Sequence, residues 1–364
     1  MTFDRSLPYN SLPPVPPQRI ELETKVVLKQ AIAANRALAE LKGAGDSIPN
    51  QSVLVRLIGL QEAKLSSEIE NIVTTNDELY RAFANDDGKA DSHTKEVLSY
   101  NAALWQGYDS LKAGRPLSTR LFEELVQTIK RNGAGVRKTP GTRIVTGTGE
   151  AVYTPPEGEA LLRDKLANLE QFLYTDNGLD PLVKLAVLHY QFEAIHPFSD
   201  GNGRTGRILN ILYLVEAGML DIPILYLSRY IIDHKGDYYT GLRCVTEEQK
   251  WEQWILFMLR AVEETARAAY TLIVNIRALM QETTDKVRTE LPKIYSKDLI
   301  EVIFSQPYCK IRFLEQGRIA QRQTASRYLK ELSRIGVLAQ PFDMGRENYY
   351  LNKNFYQLLI GKKI

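Results

Sequence analysis

One short stretch of the chain combines residue types that could bind a phosphorylated ligand and move a proton beside it. Residues 196–207 read His-Pro-Phe-Ser-Asp-Gly-Asn-Gly-Arg-Thr-Gly-Arg. An imidazole with an unperturbed pKa of about 6.5 can take a hydroxyl proton near neutral pH, so His196 is a candidate general base. Asp200 offers the hard oxygen atoms that suit Mg²⁺. The stretch therefore predicts proton transfer and metal binding at one place.

The glycines and arginines of the same stretch predict a polyphosphate site. Gly201 and Gly203 allow left-handed backbone angles and close approach of a ligand, so successive N–H groups can point toward one anion. Arg204 and Arg207 share a helix face, and two guanidiniums on one face can bind neighbouring phosphates. Apolar residues then recur at helical spacing, at Ile208, Ile211, Leu212 and Val215. The loop is thus predicted to precede a helix N-terminus, which favours phosphate.

Taken singly, a Gly-x-Gly turn, a lone histidine and paired arginines are ordinary surface features. Together, residues 196–207 match HxFx[DE]GNGRxxR at every fixed position, and the chain thereby resembles the Fic (Fido) family. The resemblance implies a mostly helical fold and transfer of AMP from ATP to a Ser, Thr or Tyr hydroxyl of a target protein. The protein itself is one candidate target. It implies that ATP and Mg²⁺ are required.

The resemblance also implies a role for each matched residue. His196 would be the general base and Asp200 the Mg²⁺ ligand. Arg204 would hold the β-phosphate and Arg207 the γ-phosphate. The anion hole would be formed by Gly201, Asn202 and Gly203, and the predicted nucleotide-binding segment also includes Thr205 and Gly206.

A second segment predicts inhibition of this site. Residues 66–71 read Ser-Ser-Glu-Ile-Glu-Asn and fit the inhibitory motif [ST]xxxE[GN] of the family, with Ser66, Glu70 and Asn71 in the fixed places. Ser66 and Glu70 lie one helical turn apart, and Glu70 could pair with Arg207, which the γ-phosphate needs. An exposed helix end with ordinary charges is the alternative. The position of the motif, on a helix N-terminal to the catalytic core, favours inhibition.

Two further segments resemble parts of the family's substrate site. Residues 143–154 read as two β-prone runs around a Gly-containing turn. In the family a β-hairpin flap stands here, whose open edge would pair with an extended target segment; a surface hairpin without function is the alternative. Residues 228–242 resemble the adenine-side segment, and aromatic rings can contact a purine. Tyr238 is the first candidate for base contact and Tyr239 the second, although both could be core tyrosines. His189 is predicted to be a packing histidine.

Length and composition predict a multidomain globular protein. The 364 residues are 44% hydrophobic and 25% charged. We predict a mainly α fold in three parts: residues 1–99, an N-terminal arm and helical region with the inhibitory motif; residues 100–270, a Fic catalytic core with a small β-hairpin flap; and residues 284–364, a winged-helix domain. The prolines of residues 1–19 predict an extended arm, docked on the body or on a partner subunit.

Helix start and stop signals divide the first two parts. We predict helices over 20–41, 52–71, 93–113, 118–132 and 156–173, with a break at 43–45 and a solvated loop over 84–92. Asp180 is a predicted N-cap and Pro181 a predicted first helical residue of the helix that leads to His196.

The C-terminal part shows a winged-helix pattern. We expect helices over 296–306 and 311–316, a third helix ending near Gly336, and paired strands at 337–340 and 348–351 around residues 343–346. Residues 284–364 carry 15 Lys and Arg against 8 Asp and Glu. The third helix has the charge of a DNA-recognition element, with Arg322, Arg327, Lys330 and Arg334. An interaction or dimerisation module with a solvated basic face is the alternative.

Cysteine spacing and hydropathy bear on location. Cys244 and Cys309 are too far apart for a zinc or redox motif, which predicts free thiols in a cytoplasmic protein. No stretch reads as a membrane span. The predicted function is protein AMPylation, autoinhibited by Glu70. The alternatives are a DNA-binding transcription regulator whose Fic core senses nucleotide, and an enzyme that removes AMP with Glu70 positioning water. A homodimer is a possible partner state.

Overall fold

The structure is a computed structural model that describes residues 3–46, 51–85, 90–145, 147–344 and 347–361. It is 64% helical, which confirms the mainly α prediction. The N-terminal helices are α1 (Lys25–Asp46), α2 (Gln51–Ile69), α3 (Asn76–Ala84), α4 (Ser92–Lys112) and α5 (Thr119–Lys130). The central elements are β1 (Ile144–Val145), β2 (Ala151–Tyr153), α6 (Glu159–Tyr174), α7 (Pro181–Ile195), α8 (Asn202–Glu216), α9 (Ser228–Asp233), α10 (Lys235–Glu248) and α11 (Trp251–Glu290). The C-terminal elements are α12 (Lys297–Ile303), β3 (Tyr308–Lys310), α13 (Ile311–Gln316), α14 (Arg322–Arg334), β4 (Phe342–Met344), β5 (Glu347–Leu351) and α15 (Lys353–Leu359).

The helix α7, which leads to His196, is buried along nearly its whole length. It begins as predicted, with Pro181 in the first turn and the side chain of Asp180 accepting a hydrogen bond from the N–H of Leu182 (2.8 Å). It packs against α6, α8 and α11, and the 40-residue α11 also packs along α1. Because α7 is surrounded by other helices, its C-terminal end has a fixed place in the core.

The first two helices differ from their predicted bounds. The predicted break at 43–45 is wrong, because α1 continues to Asp46. Gly45 instead allows close packing, since a Cβ atom there would lie 3.1 Å from Cδ1 of Ile224. The start at residue 20 is also too early: α1 begins at Lys25, after Thr24, whose hydroxyl accepts a hydrogen bond from the N–H of Val27 (3.3 Å). Within the predicted loop over 84–92, residues 86–89 lie outside the described part of the chain.

The N-terminal arm is docked on the body, one of the two predicted arrangements. The side chain of Asn168 on α6 accepts a hydrogen bond from the N–H of Val15 (2.9 Å) and donates one to its carbonyl oxygen (3.1 Å). The N–H of Tyr9 donates to the carbonyl of Thr154, directly after β2 (2.9 Å). The arm therefore lies against both α6 and the flap.

The predicted hairpin over 143–154 is present as β1 and β2, which pair antiparallel with Ile144 opposite Tyr153. A second antiparallel sheet, in the order β3-β5-β4, belongs to the C-terminal part. The predicted strand at 337–340 is wrong. Gly336 has φ 75° and ends α14, and Pro341 has no N–H to give to a ladder. One hydrogen bond joins the N–H of Ala339 to the carbonyl of Leu351 (2.8 Å), but the regular ladder with β5 begins at Phe342.

The C-terminal elements follow the order helix, strand, two helices, hairpin and a last helix. This order is compatible with a winged helix, which stays a prediction, as do the three domain bounds. Residues 345–346, in the predicted turn, are not described. Cys244 and Cys309 are free thiols, as predicted. Within the described ranges, no helix has both the length and the apolar character needed to cross a membrane.

Candidate nucleotide site

A cavity of about 860 Å³ lies between α7, α8, α10 and the flap. It brings together ten of the predicted site residues, namely Glu70, His196, Asp200, Gly201, Asn202, Gly203, Arg204, Arg207, Tyr238 and Tyr239. Ser66, Asn71, Thr205 and Gly206 do not line it. Most of the residues that the sequence singled out, from three separate segments, thus share one cavity.

His196 lies at the C-terminal end of α7 in a left-handed conformation, with φ 49° and ψ 59°. Its carbonyl oxygen accepts a hydrogen bond from Nε of Arg137 (2.9 Å), and the N–H of Arg137 donates to the carbonyl of Pro197 (2.9 Å). Burial, and then the positive charge of Arg137, lower the pKa of His196 to about 4. The imidazole is therefore neutral near pH 7 and can accept a proton.

Asp200 is the most exposed of the charged residues at the loop, with 59% of its side chain accessible. Its carboxylate lies 2.5 Å from Nζ of Lys130 and accepts a hydrogen bond from the N–H of Gly201 (2.6 Å). Burial opposes its ionisation, but Lys130 and then Arg204 outweigh it and hold the pKa of Asp200 below its usual value. Asp200 is thus an ionised oxygen donor that faces the cavity.

The N-terminus of α8 is shaped by its small residues. Gly201 has φ 80°, which turns the chain into the helix. A Cβ atom on Gly203 would lie 2.7 Å from Oε1 of Glu70 and 2.8 Å from Nη1 of Arg207, so only glycine permits this approach without a shift. The side chain of Asn202 stabilises the loop. Its Oδ1 atom accepts a hydrogen bond from the N–H of Phe198, and its Nδ2 atom donates one to the carbonyl of Phe198, each at 2.8 Å.

Two predicted nucleotide-binding residues face away from the cavity. The hydroxyl of Thr205 donates to the carbonyl of Gly201 (2.8 Å) and is buried. Gly206 faces α7, where a Cβ atom would lie 2.6 Å from Oε1 of Glu193. Their contact with a nucleotide stays an untested prediction, and the positions they occupy favour a role in holding α8 close to α7.

Glu70 bridges the two arginines of the site. One oxygen, Oε1, accepts a hydrogen bond from Nη2 of Arg207 (2.8 Å), and the other lies 2.8 Å from Nε of Arg204. Arg207 also donates to the hydroxyl of Ser66 (2.7 Å) and to its carbonyl oxygen (2.9 Å). Nη1 of Arg204 donates to Glu96 (2.8 Å). The predicted contact between Glu70 and Arg207 is present, and sequence reasoning missed the second contact with Arg204.

The residues around Glu70 explain the spacing of its motif. Asn71 has φ 62°, and asparagine is one of the few L-residues that adopt this conformation readily. The N–H of Asn71 donates to the carbonyl of Glu68 and that of Ile72 to the carbonyl of Ser67, each at 3.0 Å. Asn71 therefore turns the chain away from α2 directly after Glu70, which lies beside the two arginines.

A buried acid that sequence reasoning missed fixes α2 in place. Glu62 accepts hydrogen bonds from the hydroxyl of Tyr100 on α4 (2.9 Å) and from both the N–H (3.0 Å) and the hydroxyl (2.5 Å) of Ser228 on α9. Burial raises the pKa of Glu62. At the C-terminal end of the helix, Nζ of Lys235 donates to the carbonyl of Ile69 (2.6 Å). The half of α2 that leads to Glu70 is thus held at two points.

The two tyrosines on the predicted adenine side differ in exposure. Tyr238 is buried and its hydroxyl lies 2.9 Å from Nε2 of His189, whereas Tyr239 is 47% exposed. His189 stacks on Trp254 at an interplanar angle of 14°, and burial lowers its pKa to about 3. His189 is therefore a packing histidine, as predicted.

Comparisons with known proteins agree with this geometry. Residues 28–109 match the family described as Fic/DOC family N-terminal, residues 94–214 match Fic/DOC family, and residues 279–355 match protein adenylyltransferase SoFic-like, C-terminal domain. The chain belongs to the Fic/DOC family.

Curated relatives and a solved structure add to the family match. The chain is 33% identical over 161 residues to protein adenylyltransferase fic-1 of Caenorhabditis briggsae, an alignment covering 43% of this chain and 30% of the relative. It is 36% identical over 81 residues to a probable protein adenylyltransferase of Aquifex aeolicus, covering 22% and 25%. The alignments thus span under a third of these two relatives. A Fic family protein from Desulfovibrio desulfuricans G20 shares the fold, with TM-score 0.57, 19% identity, and coverage of 90% of this chain and 96% of that one.

Proposed function

We propose that the protein is an adenylyltransferase that moves AMP from ATP to a Ser, Thr or Tyr hydroxyl of a target protein, and that Glu70 inhibits it. The observation that carries the proposal is the joint placement of a neutral His196 and two buried arginines at the N-terminus of α8, in one cavity. A hydroxyl nucleophile needs a positioned base, and a polyphosphate needs fixed guanidiniums and N–H donors.

The proposed reaction is a substitution at the α-phosphorus of ATP. The target hydroxyl oxygen forms a bond to the α-phosphorus while the bond from that phosphorus to the bridging oxygen of pyrophosphate breaks. The hydroxyl proton passes to the neutral imidazole of His196. The N–H groups at the start of α8 and the guanidiniums of Arg204 and Arg207 stabilise charge on the phosphates. Pyrophosphate leaves with the electron pair of the broken bond.

Asp200 fits the Mg²⁺ that this reaction implies. Its carboxylate is ionised and faces the cavity, and Mg²⁺ is commonly bound through one or two carboxylates together with substrate phosphates and water. Among the described residues no cluster of three or more metal-ligating side chains occurs, so the phosphates would supply further ligands. When bound, the ion would neutralise phosphate charge. Lys130, which pairs with Asp200, would then give up or share that carboxylate.

Inhibition follows from competition for the arginines. Glu70 contacts both guanidiniums, those of Arg204 and Arg207, that the β- and γ-phosphates would need. A carboxylate and a phosphate oxygen cannot occupy the same donor fork. Since Glu70 contacts both arginines, ATP binding in the productive arrangement requires the carboxylate to leave.

The flap is the proposed target-binding element. Ile144, Val145, Val152 and Tyr153 line the cavity that contains His196. Val145 is exposed on β1, and among the described residues β2 is the only strand that pairs with β1, which leaves the other edge of β1 for an added strand. An extended target segment on that edge would bring its hydroxyl group toward His196.

Labelling with ATP tests the proposed function. The Glu70→Gly variant, with Mg²⁺ and ATP labelled on the α-phosphate, should acquire label on itself faster than wild type, and γ-label should not be retained. Adding His196→Ala should reduce the rate by about 10²–10⁴-fold. Adding Arg207→Ala to Glu70→Gly should also lower it, which separates relief of inhibition from instability. The absence of α-label in Glu70→Gly, or its persistence without His196, would contradict the proposal.

A duplex-DNA partner is a separate prediction that one observation favours. Arg322, Arg327, Lys330 and Arg334 are all exposed on α14. The full chain should bind some duplexes in preference to others and lose affinity steeply as salt rises, and Arg327→Ala with Lys330→Ala should weaken this. Binding without sequence preference would favour a solvated basic surface. Removal of AMP and a homodimer also remain predictions.

A further inference from the structure

The cavity extends beyond the arginine pair into a slot between α7 and α10. Its walls include Tyr190 and Glu193 from α7, and Tyr239 and Leu242 from α10. If the phosphates of a nucleotide lie at the start of α8, its nucleoside part must occupy the rest of the same cavity. The slot therefore supplies the groups that would contact the sugar and the base.

Glu193 is the unusual residue of this slot. It lies three residues before His196, one helical turn away on α7, and its Oε1 atom is buried with no hydrogen-bond partner among the described residues. The carboxyl group packs so closely on α8 that a Cβ atom at Gly206 would lie 2.6 Å from Oε1. Because Oε1 is buried against α8, a ligand can reach Glu193 only at the part of its carboxyl group that lines the cavity. An unpaired carboxyl group at a cavity wall favours a hydrogen-bond donor from the ligand.

Two neighbouring polar side chains form their hydrogen bonds with other partners. Arg207 donates to Ser66 and Glu70. The hydroxyl of Tyr238 pairs with His189. Burial raises the pKa of Glu193 to about 7, an effect that Arg207 only partly offsets. Neither side chain donates to Glu193, whose carboxyl group lines the slot and can accept a hydrogen bond from a ligand there.

We propose that Glu193 determines nucleoside specificity, by accepting a hydrogen bond from a donor on the nucleoside part of the bound nucleotide. The donor is either a ribose hydroxyl or the exocyclic amine of the purine, groups that share the chemistry of an N–H or O–H facing a carboxyl oxygen. The inference rests on the proposed function, because it assumes a nucleotide whose phosphates lie at the start of α8.

Calorimetric binding of four nucleotides tests the proposal. The background is the full chain with Glu70→Gly and His196→Ala, which frees the arginines and prevents turnover. The ligands are ATP, 2′-deoxy-ATP, 3′-deoxy-ATP and inosine triphosphate, which lacks the exocyclic amine. The background should bind one of the analogues about 10- to 100-fold more weakly than ATP, as expected for loss of a hydrogen bond to a charged group. The analogue affected identifies the donor.

Two variants in that background assign the preference to Glu193. Glu193→Val should weaken ATP binding by a similar factor and abolish the preference, whereas Glu193→Gln, which keeps a carbonyl oxygen, should retain part of it. Glu247→Gln is the matched control: Glu247 also lines the cavity but already pairs with Arg5 at 2.7 Å, and its loss should leave the preference intact. Thermal unfolding should show Glu193→Val to be at least as stable as the background.

The outcomes are separable. Equal binding of all four nucleotides by the background overturns the proposal, as does a preference that survives in Glu193→Val. Nucleotide binding with the expected preference, but no label transfer by Glu70→Gly alone, supports the role of Glu193 and contradicts the proposed function. Failure of the background to bind any of the four nucleotides overturns both.

Discussion

The imidazole of His196 lies in surroundings that keep it uncharged. It ends a buried helix, and a guanidinium bonded to its own carbonyl adds a positive charge nearby. A base that is already neutral needs no prior loss of a proton, although its lowered pKa also makes it a weaker base. The positions of the phosphates and of the target hydroxyl must therefore contribute much of the rate.

The first prediction concerns the titration of this residue. In NMR spectra of the imidazole carbons, the resonance that disappears in His196→Ala should keep its neutral form down to about pH 5, with a midpoint near 4. Because the folded pKa lies below the ordinary 6.5, protons bind the unfolded chain more readily between these values. The contribution of His196 to stability is thus lost as pH falls from about 6.5 toward 4. A midpoint above 6 would contradict the buried environment.

The sequence could predict the residues of the loop but not all of their partners. The chemistry of the loop is predictable because a histidine, a carboxylate, glycines and arginines occur within twelve positions. The contact of Ser66 and Glu70 with one partner is predictable because they lie one helical turn apart. The contacts of Arg137 and Lys130 could not be found, because they come from distant segments with no periodic pattern. Glu193 was missed because one acid in an apolar helix resembles a chance exposed residue until the helix is known to be buried on every side.

Among the elements, α2 has an end that depends on one residue. Asn71→Val should lower the free energy of unfolding by about 1–2 kcal/mol, since a β-branched residue is strained at φ 62°. It should also raise self-labelling, because Glu70 precedes this turn directly. Asn71→Gly should preserve both properties. Denaturant unfolding and the α-label assay measure the two effects. A valine variant that is destabilised but labels itself at the wild-type rate would show that the turn at Asn71 is not needed for inhibition.

The docked arm gives a second prediction for an element. Asn168→Ala removes both hydrogen bonds to Val15 and should cost about 1–3 kcal/mol. Trypsin should then cleave after the exposed Arg19 faster than in wild type. Gln171→Ala, exposed on the same helix, is the control and should cleave at the wild-type rate. An unchanged rate in Asn168→Ala would mean that other contacts hold the arm.

Element bounds were predictable where a cap residue is local. Asp180 and Pro181 mark the start of α7 correctly. The break assigned to residues 43–45 failed because Gly45 meets Ile224, a contact 179 positions away along the chain that local propensity does not contain. The strand at 337–340 failed because this segment makes a single backbone hydrogen bond to β5, from Ala339 to Leu351, and the regular ladder begins after Pro341, at Phe342.

At the scale of the whole molecule, the C-terminal sheet contacts the helix that follows the inhibitory motif. The hydroxyl of Tyr308 on β3 donates to Asp77 on α3, and Nζ of Lys310 donates to Asn85 at the end of that helix (3.1 Å). The guanidinium of Arg81 lies 5.8 Å from the centre of the Tyr308 ring. Since α3 begins at Asn76, five residues after Asn71, the C-terminal sheet contacts a helix that directly follows the inhibitory motif.

The corresponding prediction is that weakening the contact between β3 and α3 destabilises the segment that contains Glu70 and so reduces inhibition. Asp77→Ala combined with Asn85→Ala should speed amide hydrogen exchange in β3 and in residues 66–71, and should raise self-labelling less than Glu70→Gly does. Arg120→Ala, which removes an exposed pair on α5, is the control and should change neither. Faster exchange confined to β3 would show that the two regions are independent.

The bridge from Glu70 to the arginines also has a thermodynamic consequence. In wild type the guanidiniums of Arg204 and Arg207 are already paired with the carboxylate of Glu70. Added ATP must compete with that carboxylate and should therefore raise the melting temperature only slightly. Glu70→Gly leaves two guanidiniums, 1% and 2% exposed, without that carboxylate. The nucleotide-free variant should melt lower than wild type and gain more from ATP, by about 2.7 kcal/mol at a hundred times Kd. In a protein inhibited in this way, one side chain both blocks the site and stabilises the nucleotide-free fold. Loss of that side chain therefore activates the protein and lowers its stability without nucleotide.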